Sequence, residues 1–324
     1  MNQPLVSIGI PCYNRPEGLR KTLQCATRQS YLYLEVIVSN NCSPDEVVDK
    51  IALEYARKDN RVSYVRQKEN IGAAANFEYV LAQAKGEYFL WMSDDDEWSQ
   101  DFISECVGLL ETAPDIGMAF TNFENVTPWG RKYRETLSPQ RYAGTASWKA
   151  VLKFILIPEY FGVANIIYSV FRTRLLRELV ATGVVTHEPT AYASDISLVL
   201  GGIERGGLIV SDKFLFKKFI SPDQWRRPES DETFVEIDFS SRNPSYIGSF
   251  LMHPEYLYNN LLISRNTRYY YLVFILCYFR IMEEIIRRLF YCDFQVIKSF
   301  GKFILWKALS KDKYNKIKEK FKRK

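Results

Sequence analysis

Tyr88-Phe89-Leu90-Trp91-Met92-Ser93-Asp94-Asp95-Asp96-Glu97-Trp98 decides how the rest of the chain is read. Five largely apolar residues run without a break into a serine and four consecutive acids. So short an apolar run suits a buried strand, and carboxylates at the carboxyl end of a buried parallel strand stand where open α/β sheets bind ligands. Adjacent carboxylates repel one another, and hard divalent cations take oxygen ligands of this kind, so the cluster reads as a cation site. The competing reading is an acidic loop capping the next helix, whose first turn favours negative charge. A cap needs one acid, and four are present.

Upstream, residues 5–12 read as a strand ending in the turn Pro11-Cys12-Tyr13-Asn14, followed by a helix over 17–30. Residues 34–39 form a second buried strand, closed by Asn40 and Asn41. Pro44 suits the first turn of a helix whose core face carries Val47, Ile51 and Tyr55. Residues 62–66 make a third strand. Asn70-Ile71-Gly72 opens a helix that runs through Asn76 to residue 84, and Gly86 ends it before the acidic strand. Strands alternating with helices at this spacing predict a parallel, doubly wound α/β sheet. Downstream, residues 99–112 and 173–182 read as helices, 117–123 and 166–171 as strands, and 208–210 and 214–219 as two short strands. Asp195 precedes a helical segment over 196–200, and residues 124–147 show no clear period.

The 324 residues are 47% hydrophobic and 25% charged, a globular balance with length for one large or two modest domains. The net charge of +5 hides an asymmetry: from residue 264 onward 16 Lys and Arg face 5 Asp and Glu, a balance of +11, which leaves −6 for the first 263 residues. The basic end points to an anionic partner. The six cysteines form no CxxC pair, which argues against a zinc or disulfide framework and for free thiols in a reducing compartment. Residues 1–4 lead straight into a strand, without the basic and apolar regions of a signal peptide.

Taken together and in this order, Val6 through Asn14, Glu35 through Asn41, Asn70-Ile71-Gly72 and Gly86 through Trp98 resemble a family 2 glycosyltransferase of the GT-A fold. The resemblance covers about residues 4–225. It implies transfer of a sugar from a nucleotide-diphosphate donor to an acceptor hydroxyl, with inversion at the anomeric carbon. It places Pro11, Cys12, Tyr13, Asn14, Asn40, Asn70 and Asn76 around the donor nucleotide, with Asn40 where relatives carry a base-binding Asp. An amide donates and accepts, so it serves uracil, thymine or cytosine. Asp94 and Asp95 match a shortened DxD motif: Asp95 as ligand of Mn2+ or Mg2+ on the diphosphate, Asp94 towards the ribose or a metal-bound water. Asp96 is open between a solvated and a helix-capping role. Asp195, matching an acid before a helix, is the expected base, its alternative being a helix N-cap. Ser221 stands where many relatives have a His that completes the metal shell, and Arg226 and Arg227 follow as candidate diphosphate contacts.

The last 80 residues lie outside the resemblance. Over 269–291, Arg280, Glu283, Glu284, Arg287 and Arg288 fall on one face of a helix, and Leu272, Ile275, Leu276, Phe279, Met282, Ile286 and Leu289 on the other. The uninterrupted apolar run over 269–279 would span about 16 Å, half a bilayer core, so it is not a membrane span. Residues 294–309 repeat the pattern and the chain ends in a basic tail, a combination that favours an anionic membrane surface. The division expected is a GT-A domain over 1–228, split into a nucleotide-binding half (1–98) and an acceptor half (99–228), and a helical, basic, membrane-associating region over 229–324. The enzyme is then peripheral on the cytoplasmic face of the cell membrane, extending a polyprenyl-linked glycan of a surface polysaccharide. Homo-oligomerisation is compatible with the sequence. Nucleic acid is not an expected partner, because basic residues gather only in the tail and no recognition module accompanies them. Two rivals share the fold: a nucleotidyltransferase, and a non-catalytic glycan-binding relative.

Overall fold

The computed structural model describes residues 3–127, 130, 132–134, 139–156, 164–184, 194–219 and 254–291. Strand β1 (Val6–Cys12) is buried along its whole length. It lies between β2 (Leu34–Asn40) and β4 (Tyr88–Trp91), parallel to both, with Ile8 opposite Val36 and Leu90. A strand covered on both faces reads as a continuous apolar run rather than an alternation, which is why these three segments stand out in the sequence. β3 (Val62–Arg66) extends the parallel set beyond β2. Tyr88, Phe89, Leu90 and Trp91 are all buried, and each large side chain so placed contributes about 1.5–3 kcal/mol relative to exposure. The Trp91 indole N–H is not stranded there, since it donates to the Phe77 carbonyl at 3.0 Å.

Helices cover this core. In α1 (Pro16–Thr27) a proline sits at the first turn and Leu19, Thr22, Leu23 and Ala26 form the buried stripe. α2 (Val47–Lys58) and α3 (Ala73–Gln83) connect β2 to β3 and β3 to β4. Gly72 precedes α3 with φ of 86°, a left-handed turn in which glycine is unstrained.

Beyond β4 the sheet is mixed rather than purely parallel. The second half contributes β5 (Glu97–Trp98), β6 (Met118–Val126), β7 (Lys132–Arg134), β8 (Val170–Arg172) and β9 (Leu208–Phe219). The order is β3-β2-β1-β4-β8-β6-β9-β5, with β7 on β6. β8 runs antiparallel to both β4 and β6, and β5 antiparallel to β9. Two expected segments change here. Residues 164–168 form a 3₁₀ turn, closed by the Ser169 hydroxyl and amide on the Ile166 carbonyl at 2.7 and 3.0 Å, so only 170–172 are strand. The two short strands expected over 208–219 are one strand, broken in register where Thr121 pairs Ser211 but Asn122 pairs Phe214.

The outer helices are α4 (Phe102–Thr112), α5 (Trp148–Leu156), α6 (Thr173–Val180), α7 (Ser194–Arg205), α8 (Pro254–Ser264) and α9 (Tyr270–Tyr291). α8 packs on α7, and α9 on α5 and α8. Among the described residues no helix is long and apolar enough to cross a membrane.

Candidate active site

The acidic loop leaves β4 at the same sheet edge as the turn after β1. α1 holds it from below: the Thr22 hydroxyl donates to the Ser93 carbonyl at 2.8 Å. Gly18 lies so close that a Cβ there would stand 1.9 Å from the Asp94 carbonyl oxygen. The three aspartates then take different environments. Asp94 is largely buried and Asp95 is exposed, yet Asp94 Oδ1 and Asp95 Oδ2 converge on one guanidinium nitrogen, Arg15 Nη1, at 3.1 and 3.2 Å. Burial lifts the Asp94 carboxyl to about 6, with Arg15 opposing and Asp95 adding to the rise.

Asp96 is neither solvated nor a helix cap. It turns inward, fully buried, to accept from Ser93 Oγ at 3.0 Å, Lys218 Nζ at 2.9 Å and the Phe219 amide at 3.1 Å. Burial lifts it to about 6 against the pull of Lys218. A carboxylate whose oxygens are so engaged is a structural anchor of the loop. On the α1 side the loop borders a cleft of about 790 Å³, lined by Gly18, Lys21, Arg28, Trp98 and Phe219 among others.

At the ends of β1 and β2, Tyr13 is 45% exposed and Asn14 holds a left-handed φ of 53°, its amide bonded to Ser43 Oγ at 2.8 Å. Pro11 and Cys12 are buried, and the Cys12 thiol contacts the Ser39 carbonyl at 3.5 Å. Burial, with Asp94 and Asp49 adding, pushes that thiol far above its ordinary range. Asn40 does not face the cleft as a base reader would. It is fully buried: its amide N–H donates to Asp49 at 2.7 Å and to Tyr64, and its carbonyl accepts the Ser43 amide and hydroxyl at 2.9 and 2.6 Å. Both ends of the side chain are therefore used in holding the loop. Asn76 is likewise buried, exchanging two bonds with Ser39 that pin α3 to β2. Asn70 is exposed at the rim, where its carbonyl accepts from Asn41 and from the Gly72 amide, both at 2.9 Å.

Asp195 lies in the first turn of α7, half-buried, its Oδ1 accepting the Ile196 amide at 2.8 Å. It belongs to the helix rather than preceding it. Burial raises its carboxyl above the ordinary range, with the Ile196 amide and the nearby Lys218 charge opposing. Lys218 thus bonds to Asp96 while its charge also acts on Asp195. Tyr168 feels the same carboxylates: burial and then the charges of Asp96, Asp95 and Asp195 raise its phenol well above its usual value. The ring packs edge-on against Trp98 at 5.9 Å. Lys218 and Tyr168, neither of which the sequence reading named, are the residues whose electrostatics link the acidic loop and Asp195. Arg15 was missed too, although it directly follows the Tyr13-Asn14 turn. Ser221, Arg226 and Arg227 lie outside the described residues.

Mn2+ or Mg2+ fits what is present. Two carboxylate oxygens already converge on a cationic atom, and Mg2+ in phosphate sites is held by one or two carboxylates completed by water and substrate phosphate. Among the described residues no group of three or more His, Cys, Asp and Glu gathers at one point, so Asp94 and Asp95 would be the ligands supplied here.

An acidic loop at a strand end with an aromatic turn beside it, on a mixed sheet flanked by helices, is the arrangement of a glycosyltransferase of the GT-A fold. The chain belongs to glycosyl transferase family 2, whose model matches residues 7–170. TuaG of Bacillus subtilis, assigned to teichuronic acid biosynthesis, is 34% identical over 99 residues, which are 31% of this chain and 39% of TuaG. The chain spans about a third of the length of the first curated relatives that it matches. TarS residues 1–349 of S. aureus, solved with UDP, superpose with a TM-score of 0.57 at 17% identity, covering 89% of this chain and 72% of that one. The mannosyltransferase PcManGT of Pyrobaculum calidifontis, solved with GDP-Man and Mn2+, gives a TM-score of 0.51 at 15% identity, covering 95% and 82%. These likenesses establish the fold, a mixed α/β sheet flanked by helices.

Proposed function

We propose that the chain transfers a sugar, with inversion, from a nucleotide-diphosphate donor to a hydroxyl of a glycan acceptor. The observation that carries this reading is the convergence of Asp94 and Asp95 on one cationic point at the strand ends. Tyr13, Asn14 and Asn70 border the nucleotide, with Pro11 and Cys12 shaping the floor beneath it. Asn40 and Asn76 support the site from behind. Arg226, outside the described residues, is in this reading the sequence's candidate for charge-assisted bonds to the diphosphate.

Asp95, with Asp94 beside it, would hold Mn2+ or Mg2+, which when bound neutralises charge on the departing diphosphate. Asp195 takes the proton from the acceptor hydroxyl as its oxygen attacks the anomeric carbon, and the carbon–oxygen bond to the diphosphate breaks with its electron pair on the nucleotide. A carboxylate base with a raised pKa suits proton abstraction better than a fully solvated one. The Lys218 charge opposes the rise that burial gives the Asp195 carboxyl.

The acceptor in this reading is a polyprenyl-linked glycan of a surface polysaccharide, met at the cytoplasmic face of the cell membrane, where the basic tail attaches the enzyme peripherally. The likeness to TuaG supports the pathway class, and the charge of the tail supports the location. The test is Mn2+-dependent turnover across a panel of nucleotide-sugars, with nucleoside triphosphate plus sugar phosphate as the rival substrates. Asp95→Ala should abolish turnover of the nucleotide-sugar. Unchanged transfer by that variant, or turnover of the triphosphate pair instead, would overturn the reading.

A further inference from the structure

Helix α9 is apolar on two opposite faces in its first half. One face is spent inside the protein: Tyr269 just ahead of the helix, then Val273, Leu276 and Cys277, are buried where α9 packs on α5 and α8. The other is left outside. Tyr271, Phe274, Ile275, Tyr278, Phe279 and Met282 are exposed, from 37% at Met282 to 78% at Tyr271. They fall at i, i+3, i+4, i+7, i+8 and i+11, a single stripe along the helix. The sequence reading assigned Ile275, Phe279 and Met282 to the same apolar face as Leu276, and the packing separates them. With large aromatic side chains of about 150–250 Å² each, the six leave on the order of 600 Å² of apolar surface in one patch, at the upper end of what monomers ordinarily carry.

Basic groups stand at the amino-terminal end of this stripe. Arg265 and Arg268 are exposed between α8 and α9. Arg268 reaches the Ala146 carbonyl at 3.4 Å, two residues before Trp148, which is 53% exposed at the start of α5. The Lys149 ammonium lies 5.8 Å from that indole ring. Residues 292–324 carry 11 Lys and Arg against 3 Asp and Glu. An apolar stripe edged by an exposed indole and by basic side chains matches a membrane interface, where rings sit at the headgroup level and cations meet anionic lipid.

We propose that the outer face of α9 is a lipid-docking surface: the helix lies along an anionic membrane with Tyr271, Ile275, Tyr278 and Phe279 at the acyl boundary and Lys149, Arg265 and Arg268 on the headgroups. This rests on the membrane-attached reading above and adds the surface that makes the attachment. The docking bears on the base helix, because Ser197, one short step from Asp195 in α7, bonds to Asn260 of α8 at 2.9 Å, and α8 packs on α9.

The experiment is co-sedimentation of the full chain with vesicles of phosphatidylglycerol and phosphatidylcholine against pure phosphatidylcholine. Wild type should partition to the anionic vesicles, and Ile275→Glu with Phe279→Glu should weaken partitioning by on the order of tenfold or more, as loss of two apolar insertions requires. Because both residues are exposed, Tm and turnover of donor with a water-soluble acceptor should stay at wild-type values. That arm separates failure of the docking surface from failure of the transferase reading. Phe279→Trp, read by brominated-lipid quenching, should gain a quenched emission over wild type. Partitioning unchanged in the double variant, or lost only when the tail lysines are neutralised, would overturn the proposal. A wild-type dimer in light scattering that the double variant turns into a monomer would also overturn it, since a second copy would then be the occupant.

Discussion

Arg15 Nη1 sits at the point where Asp94 and Asp95 converge, 3.1 and 3.2 Å from the two oxygens, so it competes with any metal ion for them. Its side chain is 58% exposed, and an exposed ion pair contributes only about 0–1 kcal/mol. Arg15→Gln should therefore tighten Mn2+ binding to the nucleotide-free protein by about two- to fivefold in isothermal titration. Unchanged or weaker binding would remove Arg15 as a competitor. Gly18 makes the opposite kind of contribution. A Cβ 1.9 Å from the Asp94 carbonyl oxygen must push backbone, so Gly18→Ala should destabilise by about 1–3 kcal/mol in urea unfolding and weaken Mn2+ binding as Asp94 moves. Asp195→Asn should lower kcat by about 10²–10⁴, with donor binding close to wild type in titration; lost donor binding would make Asp195 structural. The turn at Tyr13 and Asn14 and the acidic loop at Asp94 and Asp95 could be placed at strand ends from the sequence, because each comes after an apolar strand. The burial of Asn40 and Asn76 was not legible, because a polar residue at a strand end or on a helix can face solvent or the protein, and only the positions of Ser39, Ser43 and Asp49 decide it. Lys218 had no local signal, since its partner Asp96 is 122 positions away.

Helix α7 carries Asp195 at one end and a buried ionic cluster at the other. Glu204 is 4% exposed; Ser264 Oγ donates to it at 2.7 Å and Arg205 stands 4.0 Å away. Burial lifts its carboxyl from 4.5 to about 7, with Ser264 and Arg205 opposing. Because the folded value is the higher one, the unfolded chain ionises first as pH rises, while the folded protein keeps its proton. The associated stability is thus fully present below about 4.5 and is lost progressively up to about pH 7. Between pH 4.5 and 8 wild type should lose on the order of 2–3 kcal/mol more than Glu204→Gln, read from urea midpoints. Equal slopes in the two proteins would show that Glu204 ionises normally in the fold. At this scale β1, β2, β3 and β4 were legible because strands buried on both faces are apolar throughout. β9 was read as two pieces because its bulge places polar Ser211, Asp212 and Lys213 mid-strand, where Lys213 and Ser211 bond to Glu105 at 2.6 Å. α5 and α8 went unassigned because α5 follows an irregular aromatic stretch and the buried Asn259 and Asn260 of α8 interrupt its apolar period.

The two halves expected on either side of residue 98 share one sheet, and the bonds across the division are numerous. β4 pairs with β8, and β5 with β9. Arg172, from the second half, donates to the Tyr88 hydroxyl at 3.1 Å, and Thr173 Oγ1 donates to the Gly86 carbonyl at 2.7 Å. Trp98 packs on Phe216 at 5.2 Å. A core continuous across a division leaves neither side a surface it could expose alone without losing its largest buried side chains. The two halves are therefore joined through one sheet and one core. Calorimetry of the full chain should accordingly give one main transition for the sheet body, with calorimetric and van't Hoff enthalpies near equality. The candidate site lies on the same seam, formed by Tyr13, Asp94 and Asp95 from one half and Asp195 and Lys218 from the other. On the proposed function, nucleoside diphosphate with Mn2+ should bind the assembled seam, and at 100 times its Kd should stabilise that whole transition by about 2.7 kcal/mol. If ligand instead split the transition, moving an early part and leaving a later one in place, the nucleotide-binding half would be folding as a unit of its own, and the seam would be an interface rather than a core.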